Sequence, residues 1–280
     1  MKLAQKFAVN FIRTKFKLLS SFSKKKTAEK AFEYFCTPQS RIIDKLPPVF
    51  DKAEIIHFEL NDFKVRGYRW NHPAQKKVLI LHGFESSVIN FDHYINSFLQ
   101  KGYEVLAFDA PGHGKSTGKM ITAPLYIEMI LEINKRFGPV QSFMAHSLGG
   151  MTLCLALEEI KHDDETRVVL IAPATETSSA IDAFFNYLKL DGEIRKEFEK
   201  IIESKEGKTS EWYSISRAIK NIKAKILWFH DLEDETTPVR DTLKVKGENY
   251  ANIRFVITRG LGHSRIYRDS EVIKQTVDFL

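Results

Sequence analysis

Beyond residue 50 the chain alternates short apolar runs with longer stretches in which apolar positions recur every three or four residues. Six runs, Lys77–Leu81, Glu104–Phe108, Val140–Ala145, Val168–Ala172, Lys225–Phe229 and Ile253–Ile257, are bounded by turn residues and lack polar alternation within. That is the pattern of strands buried on both faces. Helical spacing fills the gaps between them, at about 91–101, 122–136, 148–160, 237–246 and 270–280, as right-handed crossovers of a parallel sheet require. Ahead of these, Glu54–Leu60 and Phe63–Trp70 are parted only by Asn61 and Asp62 and read as a hairpin. The pattern predicts an α/β fold, a mostly parallel doubly wound sheet of eight strands with an antiparallel start.

One connection breaks the rhythm. Residues 173–224 separate two consecutive strands by about 50 residues and carry their own helical patterns at Ala180–Leu190 and Glu193–Ser204. The segment reads as a helical cap over the C-terminal ends of the strands, where open α/β sheets bind ligands. Phe184, Phe185, Tyr187 and Leu188 either line a pocket there or pack the cap itself. The expected organisation is an N-terminal helical extension over 1–48, a core made of 49–172 and 225–280, and a cap insertion over 173–224.

Charge matters only for where it sits. The 280 residues carry a net charge of +6, but residues 1–30 hold nine Lys and Arg against one acid, Glu29, leaving 33 basic against 35 acidic residues in the remainder. The body therefore has no general affinity for polyanions, and nucleic acid is not an expected partner. On a helical wheel Leu3, Phe7, Phe11, Leu18 and Phe22 fall on one side, and Lys2, Lys6, Arg13 and Lys17 on the other, with Lys15 out of place. This pattern suits either a helix lying on an anionic bilayer surface through residues 1–24 or a helix packed on its own domain or on a second subunit. A second helix is expected around 27–35, and the proline-containing stretch Thr37–Pro48 reads as a loop.

No stretch reaches the apolar length of a spanning helix. Arg13, Lys15 and Lys17 interrupt any signal-peptide core, so the expected location is cytoplasmic. Two cysteines, Cys36 and Cys154, are too few for a disulfide framework. No histidine and carboxylate cluster has metal-ligand spacing, and neither metal nor cofactor is expected. Gly112-His113-Gly114-Lys115-Ser116 lacks the first glycine and the spacing of a phosphate-binding loop.

The candidate chemistry begins at Ala145-His146-Ser147-Leu148-Gly149-Gly150, directly after one strand and directly before a helix. A serine on so tight a turn brings the flanking chain close, so positions 145 and 149 must be small. The turn exposes the Ser147 hydroxyl at a helix N-terminus, where backbone N–H groups favour developing negative charge. A nucleophilic serine needs a base, and the base needs an orienting acid. His263 lies in Gly260-Leu261-Gly262-His263, six residues past the last strand, and Asp234 follows the strand Lys225–Phe229 among the rival carboxylates Asp231, Glu233 and Glu235. The N–H of Leu148 and that of Phe84, in the loop His82-Gly83-Phe84-Glu85, are the expected oxyanion donors.

In order and spacing these motifs, with Phe108-Asp109-Ala110-Pro111-Gly112-His113-Gly114, resemble the α/β-hydrolase superfamily over about residues 54–280. Ala145 stands where many members have glycine. The resemblance implies a serine hydrolase of the esterase and lipase type acting on a small-molecule acyl ester, with a thioesterase or another acyl hydrolase as the alternative. A catalytically silent binding protein on the same fold is the alternative of another class. Asp109, His113, His82 and His230 are expected to support the site rather than react, and Cys154 to be buried and inert. Oligomeric state and acyl specificity are set by pocket shape, which the sequence does not spell out.

Overall fold

The computed structural model describes residues 3–280, with side chains from Val9 onward. Lys2 and the side chains of Leu3, Lys6 and Phe7, which carried part of the N-terminal wheel, lie outside the described residues. The strands are β1 (Glu54–Leu60), β2 (Phe63–Trp70), β3 (Lys77–Leu81), β4 (Glu104–Asp109), β5 (Ser142–His146), β6 (Arg167–Ile171), β7 (Lys225–Asp231) and β8 (Ile253–Thr258). They form one eight-stranded sheet in the order β1-β2-β4-β3-β5-β6-β7-β8. β1 and β2 pair antiparallel, β2 pairs antiparallel with β4, and every later pairing is parallel.

The helices are α1 (Leu3–Phe22), α2 (Lys24–Cys36), α3 (Asp92–Gln100), α4 (Ala123–Phe137), α5 (Leu148–Ala156), α6 (Thr177–Leu188), α7 (Gly192–Glu206), α8 (Ile215–Ala218), α9 (Val239–Gly247), α10 (Gly262–Arg265) and α11 (Ser270–Phe279). α5 ends at Ala156, four residues short of the expected 160. The second helix starts at Lys24 rather than 27, because the Ser23 hydroxyl accepts from the Lys26 N–H and caps it there.

Strand side chains alternate between faces, and both faces are dry. Leu79, Leu106, Phe143, Leu170 and Trp228 join α4 and α5 in one core. Val78, Val105, Met144, Val169 and Phe229 enter the other, against residues of α3 and α11. This explains the unbroken apolar runs in the sequence.

A third, smaller core lies off the sheet. Phe16 of α1 and Ala28, Ala31, Phe32 and Cys36 of α2 bury against Ile181 and Phe185 of α6 and Phe198 and Ile202 of α7. The N-terminal helices share a helical layer with the 173–224 segment. Phe198 sits at its centre, with ring centroids of Phe32, Phe35, Phe184 and Phe185 at 5.2–6.2 Å. At the rim Lys24 pairs with Asp191, the N-cap of α7, and the Arg13 Nε–H donates to the Tyr187 carbonyl at 2.7 Å.

Candidate active site

Ser147 occupies the one-residue bend between β5 and α5, with φ +54° and ψ −123°. A non-glycine residue at positive φ is costly and persists only where its surroundings hold it. Here the packing leaves no slack. A Cβ on Gly149 would lie 2.6 Å from the His82 carbonyl oxygen, and one on Gly83 would lie 2.7 Å from Ser147 Cβ. Both positions therefore require glycine for close approach rather than for φ. The Ser147 carbonyl accepts from the Gly150 and Ala174 N–H groups at 2.9 and 3.1 Å, fixing the bend to its own helix and to the residues after β6.

Three groups from three strand ends converge. His263, on the short helix α10 after β8, places Nε2 3.0 Å from Ser147 Oγ. Its Nδ1–H donates to Asp234 Oδ2 at 2.8 Å. With that proton on Nδ1, Nε2 is left to accept from the serine hydroxyl. The Asp234 side chain is fully buried, and its Oδ1 accepts from the Thr236 and Thr237 N–H groups at 2.8 Å each, while the Thr237 hydroxyl reaches Oδ2 at 2.8 Å. Burial alone pushes this carboxyl up. The hydrogen bond and charge of His263 and the bonds from Thr237 outweigh it and hold the carboxyl below its ordinary value. Of the rival acids, Glu233 and Glu235 are exposed. Asp231 is buried and spent on the loop itself, accepting from the Thr258 hydroxyl at 2.6 Å and the Leu261 N–H at 3.1 Å.

The loop after β3 lies against the bend. The Phe84 and Leu148 residues border the same cavity as Ser147, and among the described residues neither N–H is given to another acceptor. Leu148 is the first residue of α5, whose opening N–H groups have no partner within the helix. Behind this loop, buried groups act as struts. The Ala110 N–H donates to His82 Nε2 at 2.9 Å, the Glu85 N–H to His113 Nε2 at 3.1 Å, and the Ser87 hydroxyl to Asp109 Oδ1 at 2.8 Å. The Tyr126 hydroxyl donates to the His82 carbonyl at 2.8 Å. Burial holds His82 near a pKa of about 4 and His113 near about 3, so both rings are neutral acceptors. His230 is likewise buried with a lowered pKa, and bonds Thr237 O and Thr242 Oγ1 rather than the reacting groups. Cys154 is fully buried.

Sequence reasoning missed two contributors. Thr237 was legible in principle, because an Asp followed by Thr-Thr-Pro is a side-chain-to-backbone turn signature. His146 was not: its Nε2–H reaches the His263 carbonyl at 3.2 Å across more than a hundred residues of sequence.

Above Ser147 opens a cavity of about 890 Å³ with mostly apolar walls. Met151, Phe184 and Tyr213 line it, together with Phe32 and Phe35 of α2 and Ile12 of α1. Phe184 and Tyr187 face the cavity, whereas Phe185 and Leu188 are packed inside the helical layer. Both readings of that aromatic group thus hold, each for one face of α6.

Residues 72–225, more than half of the chain, match the family described as serine aminopeptidase, S33. Two Mycoplasma pneumoniae proteins assigned as esterase/lipase 2 and esterase/lipase 3 align at 28% identity over 115 residues and 22% over 152 residues. The alignments take in 39% and 54% of this chain and 42% and 54% of those proteins, so the chain spans about half the length of the curated relatives it matches. An esterase of Pyrococcus furiosus superposes over 87% of this chain and 95% of its own, with a TM-score of 0.66 at 19% identity. That likeness bears on the fold alone.

Proposed function

The chain belongs to the serine aminopeptidase S33 family of α/β hydrolases, and from that premise we propose that it cleaves carboxylic esters through an acyl-enzyme on Ser147. The observation that carries the reading is the Ser147–His263–Asp234 relay, at 3.0 and 2.8 Å, set at the base of an apolar cavity. Ser147 Oγ attacks the ester carbonyl carbon while His263 Nε2 takes its proton. Asp234 keeps the other ring proton on Nδ1 and stabilises the imidazolium that forms. The carbonyl oxygen becomes an alkoxide facing the Phe84 and Leu148 N–H groups. Its collapse breaks the bond to the leaving alcohol, which departs with the proton from Nε2–H. Water, deprotonated by Nε2, then attacks the acyl-enzyme and frees the acid and the serine.

The walls favour an acyl chain over a charged substrate. A cavity of this size holds a drug-sized ligand, and aromatic and aliphatic side chains supply most of its surface. Relatives assigned as esterase/lipase, matched over part of their length, support the same substrate class.

Intact-mass labelling with a fluorophosphonate tests the proposal. One adduct is expected on the wild type, none on Ser147→Ala, and a strongly slowed one on His263→Ala. A panel of esters and thioesters of graded chain length then defines the acyl group. Folded wild type that takes no adduct, in parallel with no turnover of any ester, would overturn the proposal in favour of a silent binding protein.

A further inference from the structure

α1 is apolar on two opposite sides, and among the described residues only one of them has a partner. Val9 and Phe16 are buried, at 6% exposure each, and Val9 and Ile12 border the cavity. At about 100° per residue, Phe11, Leu18 and Phe22 form a stripe about 40° wide, about 150° around the helix from Val9 and Phe16. These three side chains are 71%, 63% and 80% exposed. Packing on α2 and α6 accounts for the inner side and leaves the outer stripe without a reason.

The charge around the stripe says what it meets. Lys15 and Lys17 are exposed on the same helix, about 40° and about 120° around it from the centre of the stripe, and Lys25 and Lys26, exposed at the start of α2, follow Phe22 by three and four residues, within a segment of nine basic residues and one acid, on a body that is slightly acidic. Arg13 is not part of this field, because its guanidinium is held over the Tyr187 ring. A second copy of the chain would bring this basic field against itself. We propose that α1 seats on an anionic bilayer, with Phe11, Leu18 and Phe22 inserted among acyl chains and the lysines at the head groups. Since the other side of α1 walls the cavity, the same seating places the cavity beside the lipid, and it directs the ester hydrolysis proposed above to membrane-resident acyl esters. This last step rests on that function; the docking does not.

The test uses the full chain with Ser147→Ala, so that lipid is not consumed, and vesicles of phosphatidylglycerol and phosphatidylcholine in equal parts beside phosphatidylcholine alone. Sedimentation with the anionic vesicles only, weakening as salt is added, is expected. Phe11→Ser/Leu18→Ser/Phe22→Ser should reduce it at least about tenfold. Lys15→Glu/Lys25→Glu/Lys26→Glu should do so with the apolar stripe intact. With Ser147 restored, both triple variants should turn over a short water-soluble ester at the wild-type rate, which also reports that they fold. Failure of the parent to sediment, or equal sedimentation of parent and both variants, overturns the proposal. So does self-association in sedimentation velocity that the serine variant abolishes, which would assign the stripe to a second copy. Vesicle binding as expected with no turnover of any ester would sink the hydrolase reading and leave the docking in place.

Discussion

The rings of His146 and His263 are in contact, with centroids 4.8 Å apart and planes tilted by 42°, and the Nε2–H of His146 donates to the main-chain carbonyl of His263. The residue next to the candidate nucleophile thus anchors the backbone that carries the candidate base. Burial, with the nearby His263, lowers the His146 pKa to about 3, so the ring stays neutral and the bond persists throughout the working pH range. Replacing His146 by Phe keeps the aromatic contact with Tyr267, at 4.5 Å between centroids, but removes the donor. The expected result is a fall in kcat of about tenfold with little change in KM, in line with one lost hydrogen bond. An unchanged kcat would mean that α10 is held without it.

Asp234→Asn retains the shape of the side chain but turns an acceptor toward a donor. The amide no longer favours the proton on His263 Nδ1, so Nε2 loses the lone pair that the serine hydroxyl needs. On the proposed mechanism kcat should drop by about 10³ to 10⁴-fold, as measured with a soluble ester near neutral pH. Substitution of Glu233 or Glu235, both exposed, should leave the rate within about twofold.

Thr237 stabilises the same carboxylate through its hydroxyl and its N–H. Thr237→Val removes only the hydroxyl and should lower kcat by roughly tenfold, since a bond to a charged group contributes about 1.5–3 kcal/mol. Thr237→Ser should restore most of it. Equal losses in Val and Ser would point to packing rather than hydrogen bonding.

Gly83→Ala places a methyl group 2.7 Å from Ser147 Cβ and 3.1 Å from His146 Nδ1. The loop or the bend must shift to relieve the overlap. A stability loss of about 1–3 kcal/mol is expected in urea unfolding, with a larger proportional loss in fluorophosphonate labelling rate. Labelling at the wild-type rate would show that Gly83 is not needed for close approach.

Buried histidines set the acid limit of stability, His230 with its lowered pKa among them. His82, His113 and His146 have folded pKa values of about 4, 3 and 3 against an ordinary 6.5, with burial the main cause. The unfolded chain takes up protons that the native state refuses, so their contribution is complete above about pH 6.5 and is lost as pH falls toward the folded values. The limiting slope is about 1.4 kcal/mol per pH unit for each histidine. The midpoint of thermal unfolding should therefore fall steeply between about pH 7 and about pH 5, and a flat profile there would contradict the neutral assignment.

The strands in chain order, the helices between them and the candidates Ser147 and His263 could be named from sequence because each depends on local chemistry, whereas the candidate acid stood among rivals on one loop. Runs such as Val168–Ala172 are apolar throughout since both faces of the sheet are covered, and Gly149 follows from the crowding of a tight turn. What the sequence by itself determined is thus the sheet, the bend at Ser147 and the candidate set of polar groups. Only the tertiary structure decided that Asp234 rather than Asp231 meets His263, because the two acids lie on one loop and differ only in which neighbours the fold brings to them. It alone decided that α1 and α2 join α6 and α7 over the cavity, a contact between the two most sequence-distant helical pairs in that layer. Periodicity states that a helix has an apolar side; it does not state what covers it. That depends on which surfaces the folded chain leaves uncovered, and among the described residues nothing covers Phe11, Leu18 and Phe22.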